Sequence, residues 1–246
     1  MILIILLTVL VLIGFGCTRP GEVNDSTGSV TSTDRHPCLH PFYPLQVGYK
    51  VTYESRQRDG KPLGIHSWSV VSADSDSVTI KYAYPDQGQE MEHVMRCEGG
   101  ALISSSLLHQ NGFDETGTMK ADARYIEGVH LPAEVMPGVE WNSAFEIVVE
   151  SPGQTGEGSY QMTSVLKSDS IAVGVESVTV PAGTFESVRV ETMRSVSMPS
   201  VPGFSVPSIE IRSVDWLVKD VGLVKSETLA GQHTDVIIEA VEIVLP

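Results

Sequence analysis

Positive charge is scarce in this chain. Sixteen Lys and Arg stand against 31 Asp and Glu, a formal net charge of −15 over 246 residues. Nucleic-acid binding rests on neutralising phosphates with clustered Lys and Arg, and no such patch is visible, so that class is disfavoured. The same acidity opposes docking of a folded domain onto anionic lipid and otherwise reads as a solubility feature. Helical periodicity is nearly absent. Only Thr118-Met-Lys-Ala-Asp-Ala-Arg-Tyr-Ile126 suits a short helix, and a loop suits it equally. Familiar chemical motifs are missing too. There is no His-Glu-x-x-His, no second Cys-x-x-Cys, no Gly-x-Ser-x-Gly elbow, no phosphate-cradling loop and no dinucleotide fingerprint. No cofactor is therefore expected, and no catalytic constellation is found.

Cysteine is the next scarcity, with three: Cys17, Cys38 and Cys97. Cys17 closes an apolar run, Met1-Ile-Leu-Ile-Ile-Leu-Leu-Thr-Val-Leu-Val-Leu-Ile-Gly-Phe-Gly-Cys17, and a polar stretch follows it. As a helix the run from Ile2 to Phe15 would reach about 21 Å, short of a hydrocarbon core of roughly 30 Å. That length suits the apolar region of a signal peptide better than a membrane span. Gly14 and Gly16 provide the small side chains that a peptidase needs beside its cut. The arrangement resembles a bacterial lipoprotein signal, with residues 1–16 removed and Cys17 acylated. Simple secretory cleavage and an uncleaved anchor are the alternatives. Acylation of Cys17 leaves Cys38 and Cys97 as a natural pair in an oxidising compartment. Their bond would close a loop of roughly 60 residues and stabilise by about 4 kcal/mol on the chain-entropy account. Two separate buried thiols are the other possibility.

Residues 17–40 hold the lipidated cysteine and a stretch almost free of apolar side chains, expected to be a flexible tether. From Pro41 to the end the expectation is a mainly antiparallel all-β domain. Short alternating segments rich in Val, Ile, Thr and aromatics are separated by turn clusters. In Val78-Thr-Ile-Lys-Tyr-Ala-Tyr84, for example, Val78, Ile80, Tyr82 and Tyr84 share a face. Pro199, Pro202 and Pro207 make 198–207 a loop, or a flap over a pocket. Two stretches echo each other. Tyr43-Pro-Leu-Gln-Val-Gly48 leads into aromatic Tyr49, and Leu131-Pro-Ala-Glu-Val-Met-Pro-Gly138 leads into Trp141. The echo marks either two β subdomains divided near 128–131 or one turn chemistry used twice.

Several segments resemble a known family in order and spacing. They are Pro41-Phe-Tyr-Pro-Leu-Gln-Val-Gly-Tyr-Lys-Val-Thr-Tyr53, Val94-Met-Arg-Cys-Glu-Gly-Gly-Ala-Leu-Ile103, Leu131-Pro-Ala-Glu-Val-Met-Pro-Gly-Val-Glu-Trp141, Val178-Thr-Val-Pro-Ala-Gly-Thr-Phe-Glu-Ser-Val-Arg-Val190 and Asp215-Trp-Leu-Val-Lys-Asp-Val-Gly-Leu-Val-Lys225. Together they resemble the TapB-like (DUF3108-like) bacterial lipoproteins, with Asp220 where Gly is common. The resemblance implies an antiparallel β fold, a large curved sheet or half-barrel, and no catalytic residues. Independently of it, Gly183 and Gly222 suit tight turns or close backbone approach. Trp141, Phe185 and Trp216 suit a sheet interior.

The remaining candidates for chemistry are weak. His36 and His40, near Cys38 and Asp34, could hold zinc or copper. Ser104-Ser-Ser-Leu-Leu-His109 sets hydroxyls near an imidazole but supplies no orienting acid. Glu90 and Glu92 share a strand face, as solvated charges do. The reading that follows is a non-catalytic β domain, lipid-anchored through Cys17 on the extracytoplasmic side of the envelope, at the outer membrane or cell surface. It would bind an apolar ligand, a lipid or a lipoprotein in the hollow of its sheet. The alternative is a structural subunit of an envelope assembly, joined through an exposed edge strand. An envelope hydrolase comes last.

Overall fold

The structure, a computed structural model, describes residues 40–104, 106–111, 120–152, 159–197, 208–230 and 234–246. Its strands are β1 (Lys50–Gln57), β2 (Pro62–Ala73), β3 (Ser77–Tyr84), β4 (Gln89–Glu98), β5 (Ala101–Ser104), β6 (Ser106–Asn111) and β7 (Lys120–Gly128). They continue with β8 (Glu140–Pro152), β9 (Ser159–Val180), β10 (Gly183–Ser197), β11 (Ile209–Val218), β12 (Gly222–Ala230) and β13 (Thr234–Val244). One 3₁₀ turn, Pro85–Gln87, joins β3 to β4. The antiparallel all-β expectation holds, and alternation explains it. In β3 the buried positions are Val78, Ile80, Tyr82 and Tyr84, as the period-two pattern predicts.

All strands lie in one sheet, ordered β5-β4-β3-β2-β1-β13-β12-β11-β10-β9-β8-β7-β6. The two ends of that order are consecutive in the chain, with a single residue between β5 and β6. β4 pairs with β5 and runs beside β6, while β6 pairs with β7. Leu102 of β5 also bridges to Leu131, just past β7, through Leu102 N to Leu131 O at 2.8 Å. With β5 and β6 counted as one strand, the sheet is a nearly closed barrel of twelve. Closure goes beyond the predicted half-barrel because β5 and β6 face different neighbours.

The echo in the sequence is one turn built twice. Gly48 and Gly138 have φ of 94° and 92°. Gly48 N donates to Val70 O (3.1 Å) and Tyr49 N to Gln46 O (3.0 Å), and Val70 N returns a bond to Tyr49 O (3.0 Å). At the second site Gly138 N donates to Ala172 O (2.8 Å), Val139 N to Met136 O (3.0 Å) and Ala172 N to Val139 O (2.9 Å). The turns lead into β1 and β8, which stand opposite each other around the barrel. They open two halves of one sheet, and the sheet runs through 128–131 without dividing.

The short helix considered for 118–126 is not there. Lys120 to Ile126 belong to β7, which is bonded on both sides, to β6 and β8. Pairing on both sides outweighs the high helix propensity of Ala121 and Ala123. Tyr125 packs edge-on against Phe145 of β8, with ring centroids 6.1 Å apart. Gly128 ends the strand at φ 87°, where a Cβ would collide with the Asn142 carbonyl. β9 and β10 extend beyond their neighbours as a long hairpin. Its tip reaches β13, where Ala182 N donates to Ala240 O at 3.0 Å. Trp216 is buried in the core, as expected, under this hairpin and on the strand face opposite Asp215. Its indole N–H donates to Glu176 Oε1 at 2.6 Å, and Lys225 Nζ sits 4.8 Å from the ring centre.

Candidate functional site

The barrel interior has two different halves. Around β1–β4 it is packed with rings. Trp68, Tyr49 and Tyr53 are fully buried, and Trp68 contacts Tyr49 and Tyr43 at 5.2 and 6.3 Å between centroids. Their polar atoms are satisfied internally. Trp68 Nε1–H donates to Tyr53 Oη (3.2 Å), Tyr53 O–H to Leu223 O (2.9 Å) and Tyr49 O–H to Val221 O (3.0 Å). His66 stacks between Tyr53 and Tyr84, at 5.2 and 5.7 Å. Burial pushes the His66 imidazole down to about 4 and the Tyr84 phenol up. The Tyr84 hydroxyl is buried without a hydrogen-bond partner.

Around β8–β12 polar side chains join apolar ones in the interior. Ser164, Thr192, Arg194, Ser213, Asp215, Ser226 and Thr228 are all buried. A cavity of about 50 Å³ lies here. Tyr43, Leu131, Trp141, Phe145, Val190 and Leu217 form its apolar wall. Ser143, Ser168, Ser170, Thr192, Arg194, Asp215 and His130 form the polar one. Trp141 is steadied by its indole N–H bond to His130 O (3.2 Å), and Ser170 is bonded to Thr192 (2.9 Å).

Arg194 dominates this wall. It sits on β10 in phase with Val188, Val190 and Val196, so the strand turns it inward. Only 7% of it is exposed. Its Nη1 donates to Ser213 Oγ at 2.9 Å, and the guanidinium makes no other hydrogen bond among the described residues. Ser213 passes the interaction on to Asp215 Oδ2 (3.4 Å), whose Oδ1 accepts a short bond from Ser226 (2.6 Å). Burial raises the Asp215 carboxyl, and Arg194, Ser226 and Ser213 oppose that rise. Burial lowers the Arg194 guanidinium, and Asp215 opposes that fall. His130 is pushed down to about 3, first by burial and then by the charges of His93, Arg194 and His40. It is therefore neutral at pH 7, and its accessible edge faces the cavity.

Most residues singled out from the sequence lie elsewhere. Cys17, His36 and Cys38 are outside the described residues, as is the 198–207 loop. Cys97 is buried on β4 and disulfide-bonded. His40 has no nitrogen left for a metal ion. Nδ1 accepts from Phe42 N–H (3.1 Å), which places the proton on Nε2, and Nε2 donates to Pro132 O (2.7 Å). Among the described residues no group of three or more His, Cys, Asp or Glu is placed to hold a metal. Ser104 is bonded to His93 (2.9 Å), and at 1% exposure it is sealed from substrate. Glu90 is an exposed partner of Lys81 (2.6 Å). Gly183 and Gly222 take φ of 147° and 84°, in keeping with the turns expected there. Trp141 is the one expected interior aromatic that reaches the cavity. Arg194, Asp215 and His130 went unremarked in the sequence. The available signal was phase: Arg194 among valines, and Asp215 two places from Leu217 and four from Ile211.

The outer face is unlike a lipid-facing barrel. Arg56–Glu239 (2.7 Å), Lys225–Glu227 (2.8 Å) and Arg189–Glu191 (2.7 Å) lie across it. Charges at such positions strongly disfavour burial in hydrocarbon.

Residues 46–234 match the family described as DUF3108-like. The chain belongs to this family. The DUF3108-like fold also has solved counterparts. A candidate exported protein with a YmcC-like fold from Bacteroides fragilis is 17% identical, with a TM-score of 0.58 over 84% of this chain and 100% of that one. A lipoprotein candidate from Parabacteroides distasonis is 16% identical, with a TM-score of 0.56 over 83% of this chain and 99% of that one. At these identities the likeness concerns the barrel architecture. No curated protein matches the chain.

Proposed function

We propose that this DUF3108-like protein is a lipid-anchored, non-catalytic binding module of the cell envelope. Cys17 carries the acyl chains, 18–39 link it to the barrel, and Cys38 pairs with Cys97. The charged outer face supports attachment through an anchor, with the barrel itself in water. The names given to the Bacteroides and Parabacteroides proteins, exported and lipoprotein, agree with this placement.

The binding reading departs from the sequence expectation in its ligand. The hollow of the sheet is not free for a lipid chain, since Trp68, Tyr49, Tyr53 and their neighbours fill half of it. What remains is about 50 Å³, beside a buried cation. That room suits a small polar group and is far below the few hundred Å³ of a drug-sized pocket. The observation that carries the reading is Arg194, a buried guanidinium with one hydrogen bond facing a hydroxyl-lined cavity. Assembly through a free edge strand finds less support, because β5 is bridged to Leu131 and β6 is paired to β7. Native mass spectrometry of the full-length protein released from detergent tests the binding module. A small molecule retained stoichiometrically is expected. Membrane fractionation of Cys17→Ala tests the anchor, with release into the soluble fraction expected.

A further inference from the structure

We propose that the Arg194 cavity is a binding site for a small monocarboxylate. The proposal rests on the binding-module reading and names the chemistry of its ligand.

The first argument is unmet hydrogen-bonding capacity. A guanidinium carries five N–H donors in a planar fork, and one of them is used, toward Ser213. Burial of a charge is tolerated when it is paired and hydrogen-bonded. Asp215 is the nearest compensation, but both its oxygens accept from serines, and it meets Arg194 only through the Ser213 hydroxyl. The side of the fork turned to the cavity is thus free for a planar, two-oxygen acceptor. A carboxylate meets that fork with two parallel bonds.

The second argument is charge balance. Arg194 and Asp215 cancel, and His130 is neutral at pH 7. A monoanion leaves one net negative charge in a desolvated site, while a dianion leaves two and loses more solvation. Phosphate and sulfate are therefore the disfavoured anions.

The third argument is shape. Thr192 and Ser170 place hydroxyls on the cavity lining, and the neighbouring Trp141 and Phe145 add apolar surface to it. That pairing fits a carboxylate head with a short aliphatic end, of the size of acetate, propanoate or lactate.

The test uses the full-length protein in nonionic detergent at constant ionic strength. Thermal-shift and calorimetric titrations are run with acetate, propanoate and lactate, against phosphate, sulfate and neutral acetamide. Saturable binding of at least one monocarboxylate is expected, about tenfold or more tighter than phosphate, a difference of about 1.4 kcal/mol. Arg194→Gln should lose that binding by about tenfold or more. Should Arg194→Gln fail to fold, Thr192→Val at the cavity wall serves instead, with several-fold weakening expected. Phosphate binding as tightly as the acids, or acids binding equally to the wild type and both variants, would overturn the proposal. Acetamide binding in an Arg194-dependent way, with no acid bound, would overturn the carboxylate assignment and leave the binding module standing. No saturable binding by any of these probes, together with no retained molecule in native mass spectrometry, would overturn both.

Discussion

The two halves of the barrel interior solve the same packing problem differently. The β1–β4 half fills its space with Trp68, Tyr43, Tyr49 and Tyr53, and bonds Trp68 to Tyr53 and the Tyr49 and Tyr53 hydroxyls to the Val221 and Leu223 carbonyls. The β8–β12 half uses Ser, Thr, Arg194 and Asp215, side chains too short or too polar to fill the volume, and a cavity is left. Both halves open with the same glycine turn, at Gly48 and Gly138, so backbone geometry does not cause the difference. Inward side-chain choice does. One half carries stability through apolar area, and the other accepts desolvated charge and keeps room for a ligand.

The comparison can be broken by single substitutions, starting with the largest effect. Trp68→Ala should destabilise by about 3–5 kcal/mol, read from the urea midpoint, as a large cavity opens in a filled core. In the polar half Asp215→Ala should cost a similar amount, because Arg194 is left buried with nothing to offset it. There the double variant Arg194→Met with Asp215→Leu should recover most of the loss, since it removes the charges along with their desolvation cost. A double variant as unstable as Asp215→Ala alone would show that the charges are not what makes this half costly.

Acid comes next. His66 and His130 have folded pKa values lowered to about 4 and about 3, from 6.5. Between those values the unfolded chain binds the protons and the folded chain does not. Stability is therefore full above pH 6.5 and falls as pH drops toward 4, by up to about 1.4 kcal/mol per pH unit for each histidine. Asp215 has its pKa raised, so it acts in the opposite direction, favouring the folded state at low pH. His66→Phe should remove one proton from the slope measured between pH 6.5 and 4.

The smallest expected effect concerns Asp220. Among the described residues it is the one non-glycine with positive φ, at 55°. Its turn joins β11 to β12. The left-handed conformation costs an L-residue about 1–2 kcal/mol, less for Asp. Asp220→Gly should therefore stabilise by about 0.5–1 kcal/mol, seen as a small rise in the melting temperature, with no change in ligand binding.

Much of the fold was legible because the apolar half obeys its own alternation. Val78, Ile80, Tyr82 and Tyr84 point where a period of two puts them. Gly183 and Gly222 mark real turns. The site was not legible for the same reason. Ser164, Ser168 and Ser170 alternate with Val165, Lys167 and Asp169, and Leu166 is the one apolar residue that marks the serine face as the inner one. β7 was hidden because Ala121 and Ala123 suit a helix as well as a strand, and only its neighbours on both sides decide. Trp216 looked like an interior anchor and is buried, but under a hairpin from forty residues earlier.

By itself the sequence determined strand identity, the repeated turn and the expectation of an anchor at Cys17. These depend on local periodicity, glycine conformation and a short apolar run, which act over a few residues. Tertiary structure alone decided closure, the position of the cavity and the partners of Arg194. Closure requires β5 and β6, adjacent in the chain, to meet strands from opposite ends of the sheet. The cavity exists because polar side chains from β8, β9, β10 and β11 converge on one interior, where removal from water turns an ordinary arginine into the dominant charge.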